Sequence, residues 1–183
     1  MDKEKIKTAV RMILEGIGED PEREGLKETP DRVARMYEEV FEGIQYSNKE
    51  IAEKFGKAFT DNSDSMVIMK DIDVFSYCEH HLALMYDMKV SVAYVPHGKV
   101  LGLSKIARIC EMAAKRLQLQ EKLTNDIAEI IRIATGSSDV AVKITGSHSC
   151  MTARGIKNIN ARTTTTKYSG KFLFNYDLQK VLE

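Results

Sequence analysis

Residues 66–95 read MVIMKDIDVFSYCEHHLALMYDMKVSVAYV, and the fold turns on this stretch. Met66 to Tyr77 is dense in Val, Ile and Phe, which is strand composition. Lys89 to Val95 alternates, placing Val90, Val92 and Tyr94 on one face. The two runs are predicted to pair as an antiparallel hairpin, with the turn in Leu84–Met88. Pro96-His97-Gly98 is the next turn signal.

Downstream, Val140, Val142 and Ile144 alternate in a strand that is expected to run toward Cys150, and Thr163 to Phe174 is again β-prone. Two helices are predicted between the hairpins. Ser104 is the expected cap of the first, which faces Ile106, Ile109, Cys110, Ala113 and Leu117 inward. The second covers Gln120 to Ala134, carries Leu123, Ile127, Ile130 and Ile131 inward, and breaks at Gly136-Ser137-Ser138.

Upstream, Ile6, Val10, Ile13, Leu14 and Ile17 form one apolar helical stripe that Gly16 and Gly18 end. A second helix is expected from the N-cap Thr29 and Pro30, with Val33, Met36, Tyr37, Val40, Phe41 and Ile44 sharing a face. Residues 45–65 read as a loop with one short helix around Glu50–Phe55, and 176–183 as a last helical turn. The expected class is α+β: an antiparallel four-stranded sheet with a helix pair on one face, residues 66–183, after an N-terminal helical region, 1–65. The absence of alternating βαβ units disfavours a doubly wound sheet. An open four-stranded sheet has two edges, which predicts edge pairing between identical chains.

With 183 residues, 43% hydrophobic and 30% charged, the chain is globular in composition and unlike disordered or low-complexity sequence. Its net charge of zero gives no global attraction to nucleic acid or an anionic membrane. Three cysteines are too few for a disulfide framework and suit a reducing compartment. The start Met-Asp-Lys-Glu-Lys carries charge where a signal peptide is expected to have an apolar h-region, and no apolar run approaches the ~20 residues of a membrane span. A cytoplasmic, soluble protein is expected.

The chemistry concentrates in two segments, Cys78-Glu79-His80-His81 and His148-Ser149-Cys150. They hold three of the four histidines and two of the three cysteines, a concentration that packing alone does not explain. Cys78 and His81 have the C-x-x-H spacing that lets both reach one ion. On a strand His148 and Cys150 would share the inward face. Cys78, His81 and Cys150 make a Cys₂His set, which leaves a fourth zinc position for water in a catalytic site. Two thiolates neutralise the ion, so a nearby base would help, and His80 and His148 are the candidates. Either segment alone would fit ordinary buried residues equally well.

Gly102-Leu103-Ser104-Lys105 with Arg108, and Arg154 and Arg32 beyond it, offers cations and backbone N–H groups to an anion; a plain cap with surface cations reads the same way. Cys110 and the nine methionines read as core, His97 as solvated, Lys115-Arg116 as a solvated helix face, and Thr163–Thr166 as strand. No P-loop pattern is present.

Together, Thr29-Pro30-Asp31-Arg32, Cys78-Glu79-His80-His81, Gly102-Leu103-Ser104-Lys105, Leu119-Gln120-Glu121-Lys122-Leu123-Thr124, His148-Ser149-Cys150-Met151 and Arg154-Gly155 stand in the order found in GTP cyclohydrolase I, which the chain resembles over residues 29–174. The resemblance implies the tunnelling fold, subunits joined edge to edge into an oligomeric barrel, usually a toroidal decamer, and sites between subunits. It implies conversion of GTP and water into 7,8-dihydroneopterin triphosphate and formate, the entry to folate and pterin synthesis. Cys78, His81 and Cys150 would hold zinc, whose water attacks purine C8. His148 would protonate N7 and His80 would shuttle protons. Glu121, with Gln120 beside it, would read the guanine edge, and Ser104, Lys105, Arg108, Arg154 and Arg32 would bind the triphosphate. Relatives often follow the Cys-Glu-His-His segment with Pro-Phe-x-Gly. Leu84-Met85-Tyr86-Asp87-Met88 lacks that glycine, which puts the hairpin geometry in question. The competing readings are a relative acting on another purine or pterin, and a non-catalytic zinc-stabilised module.

Overall fold

The computed structural model describes residues 1–61 and 65–183. Of the loop expected over 45–65, residues 62–64 lie outside the described residues. The chain forms two compact units, Met1–Glu42 and Gly43–Glu183.

The first unit is a helix pair. Helix α1 (Lys3–Gly16) is capped by Asp2, whose side chain accepts the Lys5 N–H, and ends where Gly18 takes φ +87°. Helix α2 (Thr29–Val40) has Pro30 in its first turn. Its N-cap is Glu28, not Thr29, and no side chain caps it. Lys7 bridges α1 to Asp31 of α2 at 2.7 Å.

The second unit carries the sheet. Helix α3 (Asn48–Phe55) opens with a capping box between Ser47 and Glu50. Strands β1 (Ala58–Thr60), β2 (Val67–Cys78), β3 (Ala83–Tyr94) and β4 (Lys99–Leu101) follow, and β1 and β4 pair as a separate two-stranded ribbon. Next come helix α4 (Leu103–Ala114), the short strand β5 (Leu117–Gln118), helix α5 (Gln120–Thr135) and strand β6 (Val140–His148). One helical turn, α6 (Ser149–Thr152), leads through residues 153–162 to β7 (Thr163–Tyr168). The chain closes with α7 (Lys171–Phe174), α8 (Tyr176–Gln179) and a 3-10 turn at Lys180–Leu182.

The main sheet has the order β5-β2-β3-β6-β7. Its four longer strands are antiparallel, in two hairpin-like pairs, as the alternation predicts. The added fifth strand is only two residues and pairs parallel with the end of β2. Val90, Val92, Val142 and Ile144 are fully or almost fully buried with Ile106, Ile109, Cys110, Leu123, Ile127 and Ile131 of α4 and α5, so the helix pair covers one sheet face. Among the described residues no helix is long and apolar enough to cross a membrane.

Further local expectations need correction, among them Leu117, expected on the inward stripe of the helix after Ser104, which lies in β5 beyond the end of α4 at Ala114. The first hairpin turns at Glu79–Leu82, not at Leu84–Met88, which lies inside β3. Ser104 does not cap α4; the N-cap is Gly102. The β-prone run after Thr163 stops at Tyr168, where Ser169-Gly170 leads into α7. Arg116 is not on a solvated helix face: it is 9% exposed, and its guanidinium donates to Gly43 O, Tyr46 O, Asn48 Oδ1 and Asp126 Oδ2.

Candidate metal centre

Cys78 is the last residue of β2 and is buried. Three contacts fix it. Ser76 donates its hydroxyl to Ala114 O (2.8 Å), Cys78 pairs in register with Gln118, and Glu79 N–H reaches Gln118 O (3.1 Å). The chain then reverses through His80 and His81 in a tight turn that Leu82 completes at φ +50°. The positive-φ position expected of a glycine thus falls on an exposed leucine, at a cost of about 1–2 kcal/mol. Within β3 a register shift between Tyr86 and Lys89 puts Asp87 at φ +52°, where Arg162 donates to its carboxylate and to its carbonyl. The missing glycine therefore costs no hairpin. The bulge is held by a guanidinium from 75 residues downstream.

Cys150 arrives by a different route from the one strand spacing suggests. Strand β6 ends at His148, and Cys150 sits in the helical turn α6. Ser149 starts that turn and donates to Leu84 O of β3 (2.7 Å), which ties it beside the hairpin. The ligand atoms of Cys78, His81 and Cys150 all lie within 4.8 Å of one another. Two thiols and an imidazole this close fit a borderline-soft divalent ion with small side-chain adjustments. Burial pushes the Cys150 thiol up, and the neighbouring Cys78 sulfur pushes it further. A bound cation reverses that cost by favouring both thiolates.

His80 and His148 flank this cluster. His80 Nδ1 lies 3.9 Å from Cys78 Sγ, and the two rings of His80 and His81 meet edge to face. His148 is half-buried at the end of β6. Burial lowers its pKa, while the charge of Glu121 opposes that shift. Arg154 Nη1 donates to His81 Nε2 at 3.2 Å, so this arginine stands at the centre itself. Glu121 is exposed in the first turn of α5. Gln120 is 1% exposed and bonded to His148 Nε2 through its Oε1 at 2.8 Å. The sequence had placed Gln120 merely beside Glu121; only the fold reveals its histidine partner.

The other cations lie elsewhere. Ser104 and Arg108 line a cleft of about 290 Å³ with Ile72, Asp73, Ala107 and Glu111. Lys105 is half-buried on the same first turn of α4. Ile72 is six residues before Cys78 on one strand, a span of about 20 Å. Arg32 is exposed on α2 in the first unit and pairs with Glu28 of its own helix at 2.7 Å. Within one chain the structure thus gathers Cys78, His80, His81, Gln120, His148, Cys150 and Arg154, and leaves Ser104 and Arg108 beside Ile72 and Asp73 at the middle of β2.

Sequence reasoning missed one supporting device. Asp126 accepts from Arg116, Gln118, Lys122 and Asn48; burial works against its carboxylate, but the bonds from Lys122, Gln118 and Asn48 outweigh it and hold its pKa below the usual range. This network fixes β5 and the start of α5, the two elements on which Cys78 and Gln120 lean. Arg-x-Gln before a helix with Asp four residues beyond Lys122 was its only trace in the sequence.

Fold and site together define a class: an α+β protein whose sheet end gathers a thiol–imidazole–thiol cluster between two further histidines. Residues 6–182 match the family described as GTP cyclohydrolase I, and the chain belongs to that family. It is 57% identical over 178 residues to GTP cyclohydrolase 1 of Clostridium botulinum (strain Loch Maree / Type A3), covering 94% of this chain and 91% of that protein. It is 59% identical, with the same coverage, to GTP cyclohydrolase 1 of Ruminiclostridium cellulolyticum. Against GTP cyclohydrolase 1 of Clostridium beijerinckii it is 55% identical over 181 residues, 96% of this chain and 92% of that one.

Proposed function

We propose that this enzyme converts GTP and water into 7,8-dihydroneopterin triphosphate and formate, the first step of folate and pterin synthesis. The observation that carries the reading is the convergence of Cys78, His81 and Cys150 between His80 and His148 in a chain of this family. Zinc held by those three residues would supply Lewis acidity and a nucleophilic water at neutral pH. His148 holds and delivers a proton to the purine, and His80, against the Cys78 sulfur, relays protons during ring opening and loss of formate. Glu121 accepts from the guanine N1–H and amino group, an edge that adenine does not offer. Arg154, Lys105, Arg108 and Arg32 neutralise the triphosphate, and the Ser104 hydroxyl donates to it.

The roughly 20 Å between the Arg108 cleft and Cys78 supports a site built from two copies of the chain. The reading therefore includes a homo-oligomer, a decamer of the tunnelling fold, with sheet edges such as β7 joined into a barrel and neither nucleic acid nor membrane as partner. Residues 66–183 form the catalytic part, residues 1–65 the N-terminal helical region, and the enzyme works in the cytoplasm.

Incubation of metal-loaded protein with GTP should release formate and give a product that fluoresces as a pterin after oxidation, whereas ATP should give neither. No product from metal-loaded protein rules the function out. Mixed oligomers of His148→Ala and Arg108→Ala chains should recover part of the activity that each variant lacks, because some interfaces then hold one intact set. Strict additivity of the two losses contradicts a shared site.

A further inference from the structure

Proton transfer at His148 must run through one of two ring nitrogens, and the hydrogen-bond order around Gln120 selects it. Gln120 Nε2 faces Ile144 O (3.1 Å), Thr163 O (3.0 Å) and Thr165 Oγ1 (3.2 Å). Two of these are carbonyls, which only accept, so the amide nitrogen belongs on that side. The hydroxyls agree with this. Thr124 spends its one proton on Gln120 O (2.7 Å). In the 2.6 Å contact between Thr124 and Thr165, the proton therefore comes from Thr165, whose lone pairs stay free for Gln120 Nε2–H. Gln120 Oε1 is then fixed toward His148 Nε2 at 2.8 Å. An amide oxygen only accepts, so His148 Nε2 carries the hydrogen.

We propose that Gln120 is a positioning residue that keeps His148 in its Nε2–H form and reserves Nδ1 as the atom that exchanges a proton with substrate. This deepens the GTP cyclohydrolase reading and rests on it. In the transfer, the Nδ1–H bond of the imidazolium breaks, its electron pair stays on Nδ1, and the proton goes to the substrate nitrogen. The Nε2–H···Oε1 bond persists throughout, and solvent returns the proton to Nδ1. Gln120 itself is 1% exposed with its amide fully engaged inside the protein, so it has no group left to read the guanine edge.

The test is ¹⁵N spectroscopy of the metal-loaded enzyme with labelled histidine rings, the His148 signals being assigned by their loss in His148→Ala. The expected neutral form has Nε2 protonated and Nδ1 bare; an Nδ1–H form overturns the proposal. This readout needs no turnover, so it stands apart from failure of the GTP assay. In Gln120→Met the Nε2–H preference should disappear, with metal content unchanged. Its kcat should fall at least about tenfold, while KM for GTP stays within about threefold. A Gln120→Met variant with unchanged kcat and a KM raised more than about tenfold would make Gln120 a substrate contact and overturn the assignment.

Discussion

Asp139 stands at the start of β6, where its Oδ1 accepts the Lys171 N–H (2.9 Å) and its Oδ2 faces Lys171 Nζ (3.6 Å) and His97 Nε2 (3.4 Å). Gly170 at φ +55° permits this approach, since a Cβ there would sit 2.0 Å from Asp139 Oδ1. Burial works against the carboxylate, yet the Lys171 N–H and the charges of Lys171 and His97 outweigh it and hold its pKa below the ordinary value. Its stabilising contribution is therefore present above the unfolded pKa of about 3.9 and is lost as the pH falls through the lower folded value. Asp139→Asn should destabilise the protein by about 1–3 kcal/mol near pH 7. The gap between the two melting curves should close below about pH 4. A gap that stays constant down to about pH 3 contradicts this account of the carboxylate. Single residues were unevenly legible in the sequence. Cys110 lies on an apolar helical stripe and is indeed buried, its thiol pushed up to about 12 by burial. Arg116 follows Lys115 at the end of α4 and looked like one more surface cation. Its acceptors come from residues 43, 46 and 48 as well as Asp126, and no local pattern announces partners that distant.

At the scale of elements, periodicity served well wherever burial repeats. The alternations at 89–95 and 140–144, the stripe of α5, and that of α4 as far as Ala113 appear where the spacing puts them, because one face of each packs on a common core, whereas Leu117 belongs to β5. The hairpin turn was displaced for a physical reason. Tyr86-Asp87 interrupts the apolar alternation, which imitates a turn, but in β3 it is a bulge clamped by Arg162. The actual reversal passes through Glu79–Leu82, where Leu82 adopts a conformation that a leucine gives no hint of. The helical turn at Ser149–Thr152 was hidden likewise. Three residues of strand-like spacing placed His148 and Cys150 on one face, whereas Ser149 leaves the strand to bond Leu84 O. The cluster formed nonetheless, because the end of β6 pairs with β3 and brings α6 to the hairpin.

For the molecule as a whole, the proximity of Cys78, His81 and Cys150 could be anticipated from composition and spacing, since cysteine and histidine were concentrated in two segments, and the structure brings their side-chain ligand atoms within 4.8 Å of one another. Which other residues are near neighbours could not. Arg108 stands beside Ile72 at the middle of β2 while Cys78 ends that strand, and such a separation is legible only once strand direction and helix placement are known. The proposed activity depends on Cys78, His81 and Cys150 holding one ion that the reaction requires. Metal content and formate release should be measured on a single sample, for the unaltered protein and for Cys150→Ala. About one metal ion per chain with steady formate production from GTP is expected for the former, and loss of both together for the latter. Full metal occupancy and full turnover in Cys150→Ala would contradict the assignment at its root.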